Sequence, residues 1–246
     1  MSSEILEQTC CELGEGPTYD PVQNKAWWFD IVAKQLFEHD FESGCSQRHA
    51  LPFMASMLAV VDENTQLVAA EDGLYLREVT SHSLTLQQPL EADNSATRSN
   101  DGRVHASGAL WIGTMGKGAE HGAGAIYWYY RGELRKLYPA ISIPNAICFS
   151  PDARTAYYTD SPTARLMRVA VDPINGFPLS DPQVLFEYQS PDGAMDGAVN
   201  DADGNIWIAC WGAGCVIVVS PAGELSTTVH KSSFSICISS LGKAIR

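Results

Sequence analysis

Apolar and polar residues alternate along this chain in short runs, and the runs recur. QNKAWWFDI, NTQLVAAEDG, ASGALWIGTM, DARTAYYTDS and DGNIWIACW share one pattern. Each has a turn rich in Asp, Asn or Gly, followed by an apolar segment centred on an aromatic or β-branched residue. The apolar positions do not hold the three-and-four spacing of an amphipathic helix, so the segments read as strands and the chain as all-β.

Anchored on Trp27, Val68, Trp111, Tyr157 and Trp207, the units follow one another at intervals of 41, 43, 46 and 50 residues. A four-stranded sheet with its turns takes about 40–50 residues, the size of one blade of a β-propeller. WD40 signatures are missing. An irregular β-sandwich is the competing architecture, but evenly phased repeats favour the propeller.

The phase of the repeat also singles out polar residues. Glu15 lies 12 positions before Trp27, Asn100 11 before Trp111, Asn145 12 before Tyr157, and Asp196 11 before Trp207. The second unit offers Ser56 and Met57 instead. Blades are rotated copies of one sheet, so one station in successive blades falls on one ring around the axis. At the start of each innermost strand, that ring lies at a mouth of the central channel. Two carboxylates and two carboxamides meeting there form an oxygen donor set suited to a hard divalent cation. With no His or Cys in phase, metals that prefer nitrogen or sulfur are disfavoured.

Composition narrows the partners. The chain has 246 residues, 45% hydrophobic and 18% charged, with a net charge of −13. A negative surface repels phosphate backbones and anionic lipid heads, so neither nucleic acid nor membrane is expected as a partner. No apolar run approaches the length of a bilayer span, and MSSEILEQTC lacks the basic start and apolar core of a signal peptide. The seven cysteines include no CxxC pair, which reads as free thiols in a reducing cytoplasm. The six histidines form no HExxH pair, and His105 reads as a structural turn residue. No GxSxG elbow or nucleotide-binding GxGxxG turn occurs. DADGN at 201–205 has Gly212 where a calcium loop of the EF-hand type needs Glu, so it reads as a hairpin turn.

Four motifs carry a resemblance to a known family. LGEGPTYDP, RSNDGRVHASGALWIGTM, IPNAICFSPDARTAYYTDS and MDGAVNDADGNIWIACWGAG occur in the order seen in the SMP-30/gluconolactonase/regucalcin-like family, and the match runs from about Glu12 to Glu224. The resemblance implies a six-bladed β-propeller, as one domain over residues 1–246, holding one divalent metal at the channel mouth. It further implies Glu15, Asn145 and Asp196 as metal ligands and Arg98 and Asn100 as substrate contacts, with Asp160 and Ser161 as a supporting pair. Calcium is the first expectation for the metal, with zinc, magnesium and manganese as alternatives. Three departures stand out: Ala146 follows Asn145 where the family usually has Gly, Asp192 offers a rival ligand, and the C-terminal segment resembles the family poorly. The expectation is either an incomplete last blade or a truncated or altered C-terminal segment.

The function expected is a metal-dependent hydrolase opening a small sugar lactone, with Asp196 as general base. Lys117 and Glu120, in the GKGAEHGAG loop, are either specificity residues or a solvated turn. A calcium-binding regulatory propeller without catalysis is the alternative, and a metal-free interaction platform a third.

Overall fold

A computed structural model describes residues 6, 8–190 and 192–230 of the chain. The described residues form twenty strands and one short 3-10 turn at Ser161–Thr163. The first blade contains β1 (Gly14–Asp20), β2 (Lys25–Asp30), β3 (Gln35–Asp40) and β4 (Cys45–Ala50). The second contains β5 (Ala55–Val60), β6 (Thr65–Ala70), β7 (Gly73–Glu78) and β8 (Leu84–Pro89). The third contains β9 (Thr97–Val104), β10 (Leu110–Gly116), β11 (Gly124–Tyr130) and β12 (Glu133–Ile141). The fourth contains β13 (Pro144–Phe149), β14 (Thr155–Asp160), β15 (Arg165–Ala170) and β16 (Gln183–Glu187). The fifth contains β17 (Ala194–Asn200), β18 (Ile206–Trp211), β19 (Cys215–Val219) and β20 (Leu225–His230).

Each sheet is an antiparallel meander of four neighbouring strands, and the first strands β1, β5, β9, β13 and β17 pack side by side in chain order. Among the described residues this is a β-propeller with five blades, which corrects the expectation of six. The periodicity had itself yielded five units, and only the family resemblance supplied the sixth. The five sheets run from Gly14 to His230. The expectation of an incomplete last blade falls on residues 231–246, outside the described residues.

The core lies between blades. Trp27, Phe29 and Leu36 of the first blade pack on Leu58, Val68 and Ala70 of the second. Trp111, Ile126 and Trp128 of the third meet Ile147, Tyr158 and Val169 of the fourth. Cys148, Tyr157 and Leu166 of the fourth meet Met195, Ile208 and Ile217 of the fifth. Each large side chain buried this way contributes about 1.5–3 kcal/mol. Stacking of this kind fixes the rotation from blade to blade and hence the ring of first strands. His105 is buried at a blade junction, its Nε2 2.9 Å from Ala153 O and its Nδ1 2.8 Å from Ser107 Oγ, a structural role as expected. The described cysteines are free thiols, while Cys237 lies outside the described residues. Among the described residues no helix is long and apolar enough to cross a membrane.

Candidate functional site

All five first strands break register at the same level, each by one extra residue. Gly16 and Pro17 oppose Trp28 alone, Asn100 and Asp101 oppose Gly113, Ala146 and Ile147 oppose Tyr158, and Asp196 and Gly197 oppose Ala209. In the second blade the extra residue is Ser56. A bulge interrupts the strict alternation of faces and re-aims a side chain, which is why bulges gather at barrel rims and active sites. Two solutions appear here. Gly16 and Ala146 hold left-handed φ values of 58° and 54°, and the polar side chain belongs to the residue before them, Glu15 or Asn145. In β9 and β17 the polar side chain, Asn100 or Asp196, sits on the first bulged residue.

A directional hydrogen-bond chain then joins three blades. Arg98 Nη1 donates to Asn100 Oδ1 at 2.9 Å and to Ser99 O at 2.9 Å. Asn100 Nδ2 donates to Pro144 O at 2.9 Å and to Asn145 Oδ1 at 3.1 Å. Asn145 Nδ2 donates to Ser161 Oγ at 3.0 Å, and Ser161 Oγ donates to Met195 O at 2.7 Å. The partners leave no freedom of sense. Arg98 only donates and the Pro144 carbonyl only accepts, so the Asn100 amide has one orientation. Ser161 gives its single proton to Met195 O, so it accepts from Asn145, and the Asn145 oxygen must face Asn100. An amide oxygen accepts twice, and Asn100 uses one of those directions.

The expected supporting pair divides its work. Ser161 orients Asn145, whereas the Asp160 carboxylate accepts the backbone N–H groups of Ser142 and Ile143 at 3.1 and 2.8 Å, fixing the entry into β13. Asp30 does the same for β1, accepting from Glu12 and Leu13 at 2.8 and 3.2 Å. The second blade contributes no chelating side chain: Ser56 is buried and donates to Ser99 Oγ at 2.8 Å, pinning β5 to β9.

The carboxylates converge electrostatically. Burial raises the Asp196 carboxyl well above the usual carboxylate range, and the negative charges of Glu15 and Asp101 add to the effect. Asp101 is pushed up to about 7, chiefly by burial, with Arg103 opposing the shift. Burial lowers the Arg98 guanidinium from its ordinary value, while Glu15 works the other way. Glu15 in the first blade is therefore within electrostatic reach of Arg98 and Asp101 in the third and of Asp196 in the fifth. These charges link the first, third and fifth blades electrostatically.

Sequence reasoning missed Asp101 and Arg103. Asn-Asp-Gly has the composition of a turn, yet residues 100–102 lie inside β9. An Asp-Gly step within a strand pattern is the mark of a bulge. Asp192, the rival to Asp196, is exposed and 192–193 precede β17, whereas Asp196 is buried within it. Lys117 pairs with Glu71 of the second blade, and the exposed Glu120 accepts from Gly118 N at 3.2 Å.

Among the described residues no three His, Cys, Asp or Glu side chains form a metal-binding group. The ring differs from such a cluster in kind, because part of its donor set is carboxamide oxygen. Two crowded carboxylates, with Arg98 and Arg103 beside them, and an Asn145 oxygen whose orientation its neighbours fix form a donor set that fits a hard divalent cation.

Residues 13–241 match the SMP-30/Gluconolactonase/LRE-like region. The chain belongs to this family. Among its relatives, a Rhizobium meliloti protein assigned as a sugar lactone lactonase is 50% identical over 224 residues, 91% of this chain and 76% of that protein. L-arabinolactonase of Azospirillum brasilense is 30% identical over 225 residues, 89% of this chain and 74% of the enzyme. The crystal structure of a calcium-binding protein, regucalcin, from Agrobacterium tumefaciens superposes with a TM-score of 0.90 at 48% identity, covering 92% of this chain and 77% of that one.

Proposed function

We propose that this member of the SMP-30/gluconolactonase/LRE-like family hydrolyses a sugar lactone at the mouth of its channel, using one divalent cation. The observation that carries the reading is the oriented chain from Arg98 through Asn100 and Asn145 to Ser161, set beside a buried Asp196 carboxyl that feels the charge of Glu15. The lactone lactonase and arabinolactonase relatives support the reaction class.

Glu15, Asn145 and Asp196 would hold the cation, calcium first, with zinc, magnesium and manganese as alternatives. Bound there, it supplies Lewis-acid stabilisation of the charge that develops on the lactone carbonyl oxygen. The remaining work belongs to the chain. Asp196 is the general base: it takes a proton from the water that adds to the carbonyl carbon and returns it to the ring oxygen as the acyl–oxygen bond breaks. The product is one open chain carrying a carboxylate and a new hydroxyl, with one proton released at neutral pH. Arg98 and Asn100 orient the sugar hydroxyls, and the bonds that lock their own positions limit the entropy lost on binding.

The test is proton release in a pH-stat with gluconolactone and arabinolactone, with and without EDTA, for wild type and Asp196→Ala. Chelator-sensitive turnover by wild type that disappears in the variant supports the reading. Undiminished turnover by Asp196→Ala sinks it. A second reading has its own support in the 48% identical calcium-binding regucalcin: a propeller that binds calcium without catalysis. Calorimetric calcium binding with no hydrolysis of either lactone would favour that alternative.

A further inference from the structure

Below the ring, two side chains of β9 reach into the next two blades. Asp101 Oδ2 accepts the backbone N–H of Ile147 at 2.7 Å, and its Oδ1 accepts that of Gly102 at 2.9 Å. Ile147 is the second bulged residue of β13, without a partner in the β14 register and directly after the left-handed Ala146. Arg103, two residues along, donates from Nη2 to Ala198 O at 2.7 Å. Ala198 is the residue at which β17 regains register after the Asp196–Gly197 bulge. The opposite charges of Asp101 and Arg103 also attract each other.

We propose that Asp101 and Arg103 are positioning residues, a clamp on β9 that fixes the bulges of β13 and β17 so that the Asn145 and Asp196 oxygens converge on one cation. The inference rests on reading the ring as the cation site of a hydrolase. Its physical basis is the instability of what it holds. A left-handed alanine costs about 1–2 kcal/mol and persists only where its surroundings over-determine it. At Ala146 those surroundings are the Asn145–Thr159 pair on one side and the Asp101–Ile147 bond on the other. Ala146 and Ile147 are also fully buried in the core between blades, while Asp101 and Arg103 themselves line a cavity of about 300 Å³ between β1, β5 and β9.

The experiment compares wild type, D101N, D101A and R103M in the full chain. Calcium chloride binding is read by calorimetry, gluconolactone hydrolysis as separate kcat and KM, and folding by circular dichroism melting. Loss of an outer partner of a metal site typically costs 10–100-fold in affinity or activity. D101A is expected to lose calcium affinity and kcat by about tenfold or more, with KM changed far less. D101N keeps an acceptor oxygen for Ile147 N–H, giving up only the local one at Gly102 N–H, and should stay within about threefold of wild type. R103M should lower kcat, and D101A/R103M should lose less than the two single losses combined, because the pair acts as one unit. A D101N as impaired as D101A would assign the effect to charge and overturn the clamp. So would a folded D101A with wild-type affinity and kcat. If D101A does not fold, R103M decides: unchanged kcat and calcium affinity reject the clamp. If wild type opens no lactone, the hydrolase reading falls separately. Calcium affinity alone then judges the clamp, with D101N near wild type and D101A weaker sustaining it and equality of the three rejecting it.

Discussion

The first and fourth blades solve one geometric problem differently from the third and fifth. In β1 and β13 the inward polar residue stands before the bulge, the bulged residue is left-handed, and an aspartate at the end of the second strand, Asp30 or Asp160, ties down the entering loop. In β9 and β17 the inward polar residue is itself the bulged one, and the left-handed conformation is not used. The pairs alternate around the channel, so the ring is assembled from two local geometries rather than one repeated motif. What is shared is the extra residue. A strand with strict alternation presents every second side chain to the channel, and one inserted residue lets either of two positions reach it.

The strongest way to break this comparison is to remove one carboxylate from each kind. If both geometries feed one site, Asp196→Ala should reduce lactone turnover by at least about a hundredfold, the lower end of what general-base catalysis contributes. Glu15→Gln should weaken calcium binding while leaving the base in place. Both would be read by pH-stat kinetics together with calorimetry. An Asp196→Ala enzyme that keeps its rate, beside a Glu15→Gln enzyme that loses it, would mean that only the left-handed pair builds the site.

Gly16→Ala tests the left-handed half directly. A Cβ on Gly16 would lie 2.0 Å from Ser56 O, a backbone atom of the neighbouring blade, at a φ of 58°. Left-handed strain and overpacking together predict a loss of about 2–5 kcal/mol, seen in urea unfolding. A loss under about 1 kcal/mol would show that β1 and β5 separate easily there.

Ser161→Ala comes next in size; besides freeing the Asn145 amide it takes the Ser161 donor away from Met195 O. It removes the acceptor that turns the Asn145 amide, so the oxygen and nitrogen become free to exchange. A net hydrogen bond is worth about 1 kcal/mol, so calcium affinity should fall about fivefold with the fold retained. Unchanged affinity would mean that Asn100 suffices to orient Asn145.

Much of this was legible in sequence, and what was not has physical causes. The five units and the shared phase of Glu15, Asn100, Asn145 and Asp196 were visible because blades repeat. The spacings of 12 and 11 residues even divide those four into the same two pairs as the bulge geometry. The sixth blade was carried by resemblance alone, and the chain does not supply it among the described residues. Asp101 and Arg103 stayed hidden because an Asn-Asp-Gly step has the composition of a turn, and only pairing with β10 places it mid-strand. The direction of the Arg98–Asn100–Asn145–Ser161 chain was equally hidden, since it depends on contacts between blades some 45 residues apart.

The smallest effect belongs to Ala146→Gly, which would restore the glycine usual at this position in the family. Two terms oppose each other. Glycine removes the left-handed strain, about 1–2 kcal/mol, but it loosens the unfolded chain and leaves a methyl-sized gap in a fully buried site of the fourth and fifth blades. The sum should lie within about 1 kcal/mol of zero, a shift of the melting midpoint of no more than a few degrees. Gly16→Ala and Ala146→Gly are thus opposite exchanges at equivalent stations with very different expected costs, because a backbone carbonyl faces Gly16 whereas the cavity around Ala146 already fits a methyl group. A gain well above 1 kcal/mol would show that the strain at Ala146 is not held in place by the Asp101–Ile147 bond. A loss well above it would show that this bulge has repacked around alanine and no longer resembles the one in β1.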